Sequence, residues 1–154
     1  MRPWFQAVLA IAAVACRPAP PAVSDADKTG IRAAGDSFVV FFRTNRDSAT
    51  AALYTENAVL MPPNRGAVEG RAAIRAFFEA FPALPDFTAT PIDIDGRGDL
   101  AYVRGTYAFT MPGASGRPAM SDHGKFVEVR RRQPDGKWLV SVDIFNSDVP
   151  LPTK

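Results

Sequence analysis

The sequence has few of the residues that build metal sites and covalent crosslinks. Its 154 residues include one cysteine, Cys16, and one histidine, His123. A single cysteine excludes an intramolecular disulfide and a cysteine-based zinc site. A single histidine leaves little basis for a catalytic triad or a histidine-rich metal site, and no glycine-rich phosphate loop is present. We therefore predict a domain that folds without metal and uses no cofactor.

An excess of charge of one sign is also missing. Eighteen Lys and Arg residues face sixteen Asp and Glu residues, and the basic residues are scattered apart from residues 130–132. Those three arginines alternate faces along a predicted strand, so they form no continuous stripe that could follow a phosphate backbone. We predict no nucleic-acid partner. The hydrophobic fraction of 47% indicates one folded globular domain.

The chain opens on an apolar run that is too short to span a bilayer. Residues 4–15 supply about half of the roughly 20 residues that a membrane-spanning helix needs. They are typical of a secretory signal peptide, and Ala13-Val14-Ala15-Cys16 resembles a bacterial lipobox. We predict that residues 1–15 are removed and that Cys16 is lipidated. The alternative is ordinary secretion with Cys16 as an unmodified terminal residue.

A proline-rich stretch separates Cys16 from the folded part. Residues 16–24 contain Arg17-Pro-Ala-Pro-Pro-Ala-Val23, which favours an extended tether, and polyproline II geometry would hold the domain roughly 20 Å from a membrane. The predicted organisation is a tether at 16–24, a domain at 25–148 and a tail at 149–154. The predicted location is the bacterial envelope, with the protein membrane-anchored on the periplasmic side, or otherwise periplasmic or secreted.

Apolar spacing predicts helices first and strands afterwards. Ser24 and Asp27 form a capping signal for a helix over residues 25–43, a short second helix ends near Tyr54, and Gly70 opens a third. A short strand is predicted at residues 58–61. The period then changes from 3.6 to 2, which predicts four strands at residues 87–95, 100–111, 122–132 and 137–147. This order indicates an α+β fold.

Three segments resemble a known family. They are residues 54–63 (YTENAVLMPP), 68–78 (VEGRAAIRAFF) and 135–148 (DGKWLVSVDIFNSD). Together they are similar to the SnoaL-like, ketosteroid-isomerase-like branch of the nuclear transport factor two superfamily. The resemblance implies a cone in which three N-terminal helices pack on a curled antiparallel sheet, with a ligand pocket at the open end. The superfamily includes isomerases, cyclases, dehydratases and binding modules, so the resemblance does not fix an activity.

Strand alternation and the resemblance together select the predicted site. In the last strand one face carries Leu139, Ser141, Asp143 and Phe145, and the other carries Trp138, Val140, Val142 and Ile144. The resemblance assigns the first face to the pocket. The resemblance also implies that six residues of the two preceding strands point inward: Tyr102, Arg104, Thr106, Phe126, Glu128 and Arg130.

Carboxylates inside an apolar pocket have the environment-dependent pKa values that a general acid or base needs. Asp143 and Glu128 are therefore the predicted catalytic candidates. The predicted ligand-binding residues are Tyr102, Arg104, Phe126, Ser141, Phe145 and Met61. The alternative is a structural ion-pair network in which Arg104 neutralises the carboxylates.

The parts of the ketosteroid isomerase mechanism are mostly absent. The resemblance places Met61 and Pro62 where the isomerases carry a proton-shuttling carboxylate, and Phe38 where they carry a tyrosine. Our first hypothesis is a domain that binds a small, largely apolar molecule. The second is an isomerase, cyclase or dehydratase that uses Asp143 or Glu128 as its general acid or base. The third is a non-catalytic dimerisation or assembly module with a filled cone.

The opposite face of the sheet predicts self-association. If the pocket takes Asp143 and Phe145, a β-branched patch faces away from it. Its members are Val127, Val129, Val140, Val142 and Ile144. Burial of such side chains favours association, so we predict a homodimer through this outer face. The alternative exchanges the two faces and places the valines in the core.

Overall fold

The computed structural model describes residues 18–113 and 118–150. The predicted signal peptide and Cys16 lie outside these residues. Within the two ranges, no helix combines the length and apolar character that crossing a membrane requires.

Residues 18–113 contain three helices: α1 (Asp25–Arg43), α2 (Asp47–Ala51) and α3 (Arg71–Glu79). The predicted bounds of α1 are confirmed, because Ser24 and Asp27 form the expected capping box. Ser24 Oγ accepts a hydrogen bond from the Asp27 amide at 3.2 Å, and the Asp27 carboxylate accepts from the Ser24 amide at 3.3 Å. Helix α2 ends earlier than predicted because the first strand already begins at Tyr54.

Six strands of the described part of the chain form one sheet. They are β1 (Tyr54–Met61), β2 (Val68–Glu69), β3 (Thr88–Arg97), β4 (Leu100–Met111), β5 (Met120–Arg132) and β6 (Trp138–Ser147). Their order is β2-β1-β6-β5-β4-β3. The prediction of an antiparallel sheet is wrong at one position, because β1 and β6 pair in parallel. The whole β3–β6 meander separates these two strands, so no hairpin forces them to run in opposite directions.

The curled sheet encloses a core rich in aromatic rings. Phe42 of α1 packs edge-on against Phe87 with ring centroids 4.7 Å apart, and Phe38 contacts Phe78 of α3 at 5.8 Å. Gly105 makes room on the concave face, because a Cβ there would lie 2.5 Å from the Phe126 ring. The structure confirms the predicted α+β architecture.

A bulge in β6 changes the predicted alternation of its side chains. Val129 pairs with Val142 and Arg130 pairs with Val140, so Ser141 is an extra residue. Val140 is only 2% exposed and lies in the core, where an outward position was predicted. Trp138 is also buried, whereas Ser141 lies outside the pocket lining and donates to the Val129 carbonyl at 3.0 Å. Asp143 and Phe145, beyond the bulge, line the pocket as predicted.

The inward orientation predicted for three residues of β4, Tyr102, Arg104 and Thr106, is wrong, because all three are exposed. Ala101 and Val103 fill the core, which places the alternate residues Tyr102 and Arg104 on the outer face. There the Tyr102 hydroxyl donates to Asp93 at 2.7 Å, and Arg104 lies 3.5 Å from the same carboxylate.

Met61 also lies outside the pocket that it was predicted to line. It pairs with the exposed Ile144, whereas its buried neighbour Leu60 pairs with Asp143 and lines the pocket. Alternation along β1 therefore gives the inward position to Leu60 and excludes Met61.

Part of the predicted tether packs on the domain. The Val23 amide donates to the Gly96 carbonyl at 3.0 Å, and the Gly98 amide donates to the Pro21 carbonyl at 2.8 Å. Val23 is buried beside Ile94 and Ala101. Residues 20–23 thus form a strap across the β3–β4 turn.

Candidate functional site

A cavity of about 260 Å³ lies between the concave face of the sheet and the helices. Aromatic and aliphatic side chains form most of its wall. They include Ile31, Phe38, Phe42, Leu60, Phe77, Phe78, Phe81, Phe87, Phe109, Phe126 and Phe145. Met111 and Met120 line it at the far end of the β4–β5 pair from the strap. The wall therefore suits an apolar ligand.

A polar cluster meets this apolar wall. Glu128 and Arg130 project from β5, Asp143 from β6 and Tyr54 from β1. The Arg130 guanidinium pairs with Glu128 Oε2 through Nη2 at 2.6 Å and Nε at 2.7 Å. The Tyr54 hydroxyl donates to Asp143 Oδ2 at 2.7 Å. Glu128 and Asp143 are direct partners across the β5–β6 ladder, so both pairs lie side by side.

The environment of Asp143 opposes its ionisation. Burial raises its pKa to about 7, and the negative charge of Glu128 acts in the same direction. The hydrogen bond from Tyr54 and the positive charge of Arg130 oppose that increase. Burial likewise raises the pKa of Tyr54 well above its usual value, so the phenol remains a donor. Asp143 can consequently gain or lose a proton near neutral pH.

Two atoms of the cluster are not used by neighbouring residues. Arg130 Nη1 is buried and has no hydrogen-bond partner in the described part of the chain. Asp143 Oδ1 accepts no hydrogen bond from residues 18–113 or 118–150, and it is not among their buried unpartnered atoms. Since Asp143 lines the cavity, this oxygen is open to it. The cluster therefore contains one unused donor, which is buried, and one unused acceptor.

Four predicted site residues line the cavity: Phe126, Phe145, Glu128 and Asp143. The structure places the other four predicted residues elsewhere, namely Tyr102, Arg104, Ser141 and Met61. Tyr54 and Arg130 lie beside the carboxylates, where Tyr102 and Arg104 were expected.

Sequence reasoning missed Tyr54 and undervalued Arg130. Tyr54 opens the first of the three family-like segments, and its position at the start of β1 was its one sequence signal. Arg130 was predicted to point inward, yet its neighbours Arg131 and Arg132 suggested a solvated strand end. Among the described residues, no group of three His, Cys, Asp or Glu side chains is placed to hold a metal ion.

Comparison with protein families decides the classification. Residues 25–140 match the family model described as the SnoaL-like domain. The chain belongs to the SnoaL-like domain family. Among curated proteins, none matches this sequence.

Solved structures share the fold of this SnoaL-like domain at low sequence identity. A ketosteroid isomerase-like protein from Erwinia carotovora atroseptica aligns with a TM-score of 0.73 and 19% identity, over 82% of this chain and 100% of that one. An NTF2-like protein with a cystatin-like fold from Novosphingobium aromaticivorans aligns with a TM-score of 0.67 and 20% identity, over 78% and 80%. These similarities confirm an NTF2-like, cystatin-like α+β fold and leave the activity open.

Proposed function

We propose that this SnoaL-like domain binds a small, largely apolar molecule in its cavity. The observation that carries the proposal is the arrangement of the 260 Å³ cavity, with aromatic rings along its wall and polar groups gathered in one cluster. Such an arrangement supplies affinity through apolar contact and orientation through a few polar contacts. The cavity also disfavours the assembly-module hypothesis, which required a filled cone.

Two glycines of α1 allow a matched test. Gly35 lines the cavity and Gly30 does not, and a Cβ on either residue would meet nothing within 4 Å. Both changes to leucine are compatible with a helix. We expect Gly35→Leu to abolish the fluorescence increase of N-phenyl-1-naphthylamine on binding, and Gly30→Leu to retain it. Equal binding by the two variants would contradict the proposed pocket.

A second candidate function is general acid–base catalysis by Asp143. The observation in its favour is a carboxyl with a pKa of about 7 and one oxygen open to the cavity. The test measures by NMR the rate at which the α-protons of 4-tert-butylcyclohexanone exchange for deuterium in D2O. Catalysis predicts faster exchange with the wild type than with Asp143→Asn. Equal exchange with both proteins favours a binding domain.

The location remains a proposal as well. We propose export and anchoring through lipidated Cys16, supported by the apolar leader and the lipobox-like residues 13–16. The strap fixes Pro21 to Gly98 at one end of β4, so a lipid on Cys16 would lie near that end. Met111 lies at the opposite end of β4. We expect Cys16→Ser to move the protein from the membrane to the soluble fraction. A soluble wild type with an unmodified Cys16 would contradict the anchor.

We also propose a homodimer through the outer sheet face. With Val140 assigned to the core, the patch consists of Val127, Val129, Val142 and Ile144, of which Val127 is 42% and Ile144 is 46% exposed. Sedimentation of the wild type and Ile144→Asp tests the proposal. We expect a dimer that the aspartate converts to a folded monomer, whereas a monomeric wild type at tens of micromolar would refute it.

A further inference from the structure

The buried guanidinium of Arg130 has one donor more than its protein partner uses. Its side chain is 3% exposed, and both of its contacts go to one oxygen of Glu128. Nη1 is left without a partner among the described residues. Because an unsatisfied buried donor is costly, such an atom is normally paired in the functional state. Nη1 has almost no accessible surface, so pairing with a ligand oxygen requires the Arg130 guanidinium to shift towards the cavity that this residue lines.

Asp143 supplies the complementary atom. Tyr54 occupies its Oδ2, while Oδ1 accepts nothing from the described residues and is open to the cavity. Asp143 lies opposite Glu128 in the β5–β6 ladder, on the face that also carries Arg130. The unused donor and the unused acceptor therefore belong to one cluster.

Charge limits which ligands suit this cluster. Arg130 and Glu128 neutralise each other, and Asp143 adds a second acidic group. A ligand carboxylate would face two carboxyl groups with only one guanidinium, which is already paired. An ammonium group has no lone pair for Arg130. The cluster therefore favours an uncharged polar group.

We propose that the ligand is a neutral, otherwise apolar alcohol, whose hydroxyl oxygen accepts from Arg130 Nη1 and whose hydroxyl proton is donated to Asp143 Oδ1. This inference rests on the proposed binding function. A hydroxyl group satisfies both unused atoms, whereas a ketone satisfies only the donor and a hydrocarbon satisfies neither. The aromatic wall then contacts the carbon frame of the ligand. Of the aromatic residues in this wall, Phe126 and Phe145 are nearest to the cluster carboxylates in sequence.

The test compares rigid probes that share one carbon cage. Isothermal titration calorimetry at pH 8 measures the binding of 2-adamantanol, 2-adamantanone and adamantane-2-carboxylate to the purified protein. We expect the alcohol to bind about tenfold more tightly than the ketone, because it adds a hydrogen bond to a charged acceptor. The carboxylate should bind more weakly than the ketone. This ranking is measured on the wild type and does not depend on any variant folding.

Variants then assign the preference to the two atoms. The double variant Arg130→Met/Glu128→Gln removes the donor without leaving an unpaired charge, and we expect it to lower the alcohol affinity about tenfold. Asp143→Leu should make the alcohol and the ketone bind equally. The matched control is Arg132→Met, on the same strand but outside the cavity lining, and it should leave all three affinities unchanged.

The outcomes separate this inference from the binding function. If the ketone or the carboxylate binds at least as tightly as the alcohol, the inference is overturned and the apolar pocket stands. An unchanged alcohol affinity in the folded double variant also overturns it. If all three probes and N-phenyl-1-naphthylamine fail to bind, the proposed binding function falls and the inference falls with it.

Discussion

Arg130 and Arg132 lie two residues apart on β5, yet their surroundings differ in kind. Arg132 is 31% exposed and reaches three groups: Nη1 lies 2.7 Å from Asp27, Nε lies 3.4 Å from Asp99, and the guanidinium stacks on Trp138 at 4.6 Å. Arg130 is 3% exposed, and Glu128 is the one residue with which it pairs within residues 18–113 and 118–150. The more buried arginine thus has the fewer partners.

The carboxylates beside the two arginines differ in the same way. Hydrogen bonds from Arg132, Ser24 and Trp138 hold the pKa of Asp27 well below its usual range. Burial instead raises the pKa of Asp143 to about 7. Asp27 therefore stays ionised and fastens the start of α1 to the sheet, whereas Asp143 can change its charge near neutral pH. The first cluster is structural, and the second has the properties of a ligand site.

The largest expected effect comes from breaking the buried pair. Arg130→Met leaves Glu128 without its partner, which should lower the free energy of unfolding by about 3–5 kcal/mol. Urea denaturation should show that adding Glu128→Gln restores most of this loss. Arg132→Met should destabilise less than Arg130→Met, because Asp27 keeps its hydrogen bonds from Ser24 and Trp138 and Asp99 is exposed. Equal losses in the single and the double variant would contradict a buried ion pair.

Next in size is the pH dependence caused by Asp143. Its folded pKa of about 7 lies above the unfolded value of roughly 4, so ionisation costs stability in the folded state. The stabilisation that the folded state gains from neutral Asp143 is complete below about pH 4 and is lost as the pH rises towards 7. Asp143→Asn has no such titration, so its stability relative to the wild type should increase from pH 4 to pH 8. A constant difference by urea denaturation would contradict the raised pKa.

The smallest expected effect comes from the structural cluster. Ser24→Ala removes the hydroxyl that caps α1 and should lower the free energy of unfolding by about 1 kcal/mol. Binding of N-phenyl-1-naphthylamine should not change, because Ser24 lies outside the cavity lining. A loss of binding in the folded variant would show that the two clusters are not separate.

Sequence periodicity predicted the main elements well because their signals are local. The bounds of α1 follow from a capping box and helical spacing, and those of β4 follow from alternation between turn residues. The parallel pairing of β1 with β6 depends on contacts far apart in the chain, so no local pattern indicates it. The two-residue strand β2 is likewise too short to leave a periodic signal.

The site was harder to predict because small changes in register decide it. The extra residue, Ser141, cannot be recognised in the sequence of a strand whose apolar residues occur on both faces. It nevertheless moves Val140 into the core. In β4, the small apolar residues Ala101 and Val103 take the core positions, which turns Tyr102 outward. Glu128 and Arg130 face the cavity as predicted because β5 has no extra residue, and Asp143 does so because it lies beyond the extra residue of β6.

The most direct test of the account is a crystal structure of the protein with 2-adamantanol bound. The cage should lie among the aromatic rings, with the hydroxyl oxygen at hydrogen-bond distance, about 2.7–3.2 Å, from both Arg130 Nη1 and Asp143 Oδ1. Arg132 should keep its contacts with Asp27 and Trp138 unchanged. A hydroxyl directed towards Met111 and Met120, away from Arg130, would contradict the assignment of the buried cluster as the ligand site.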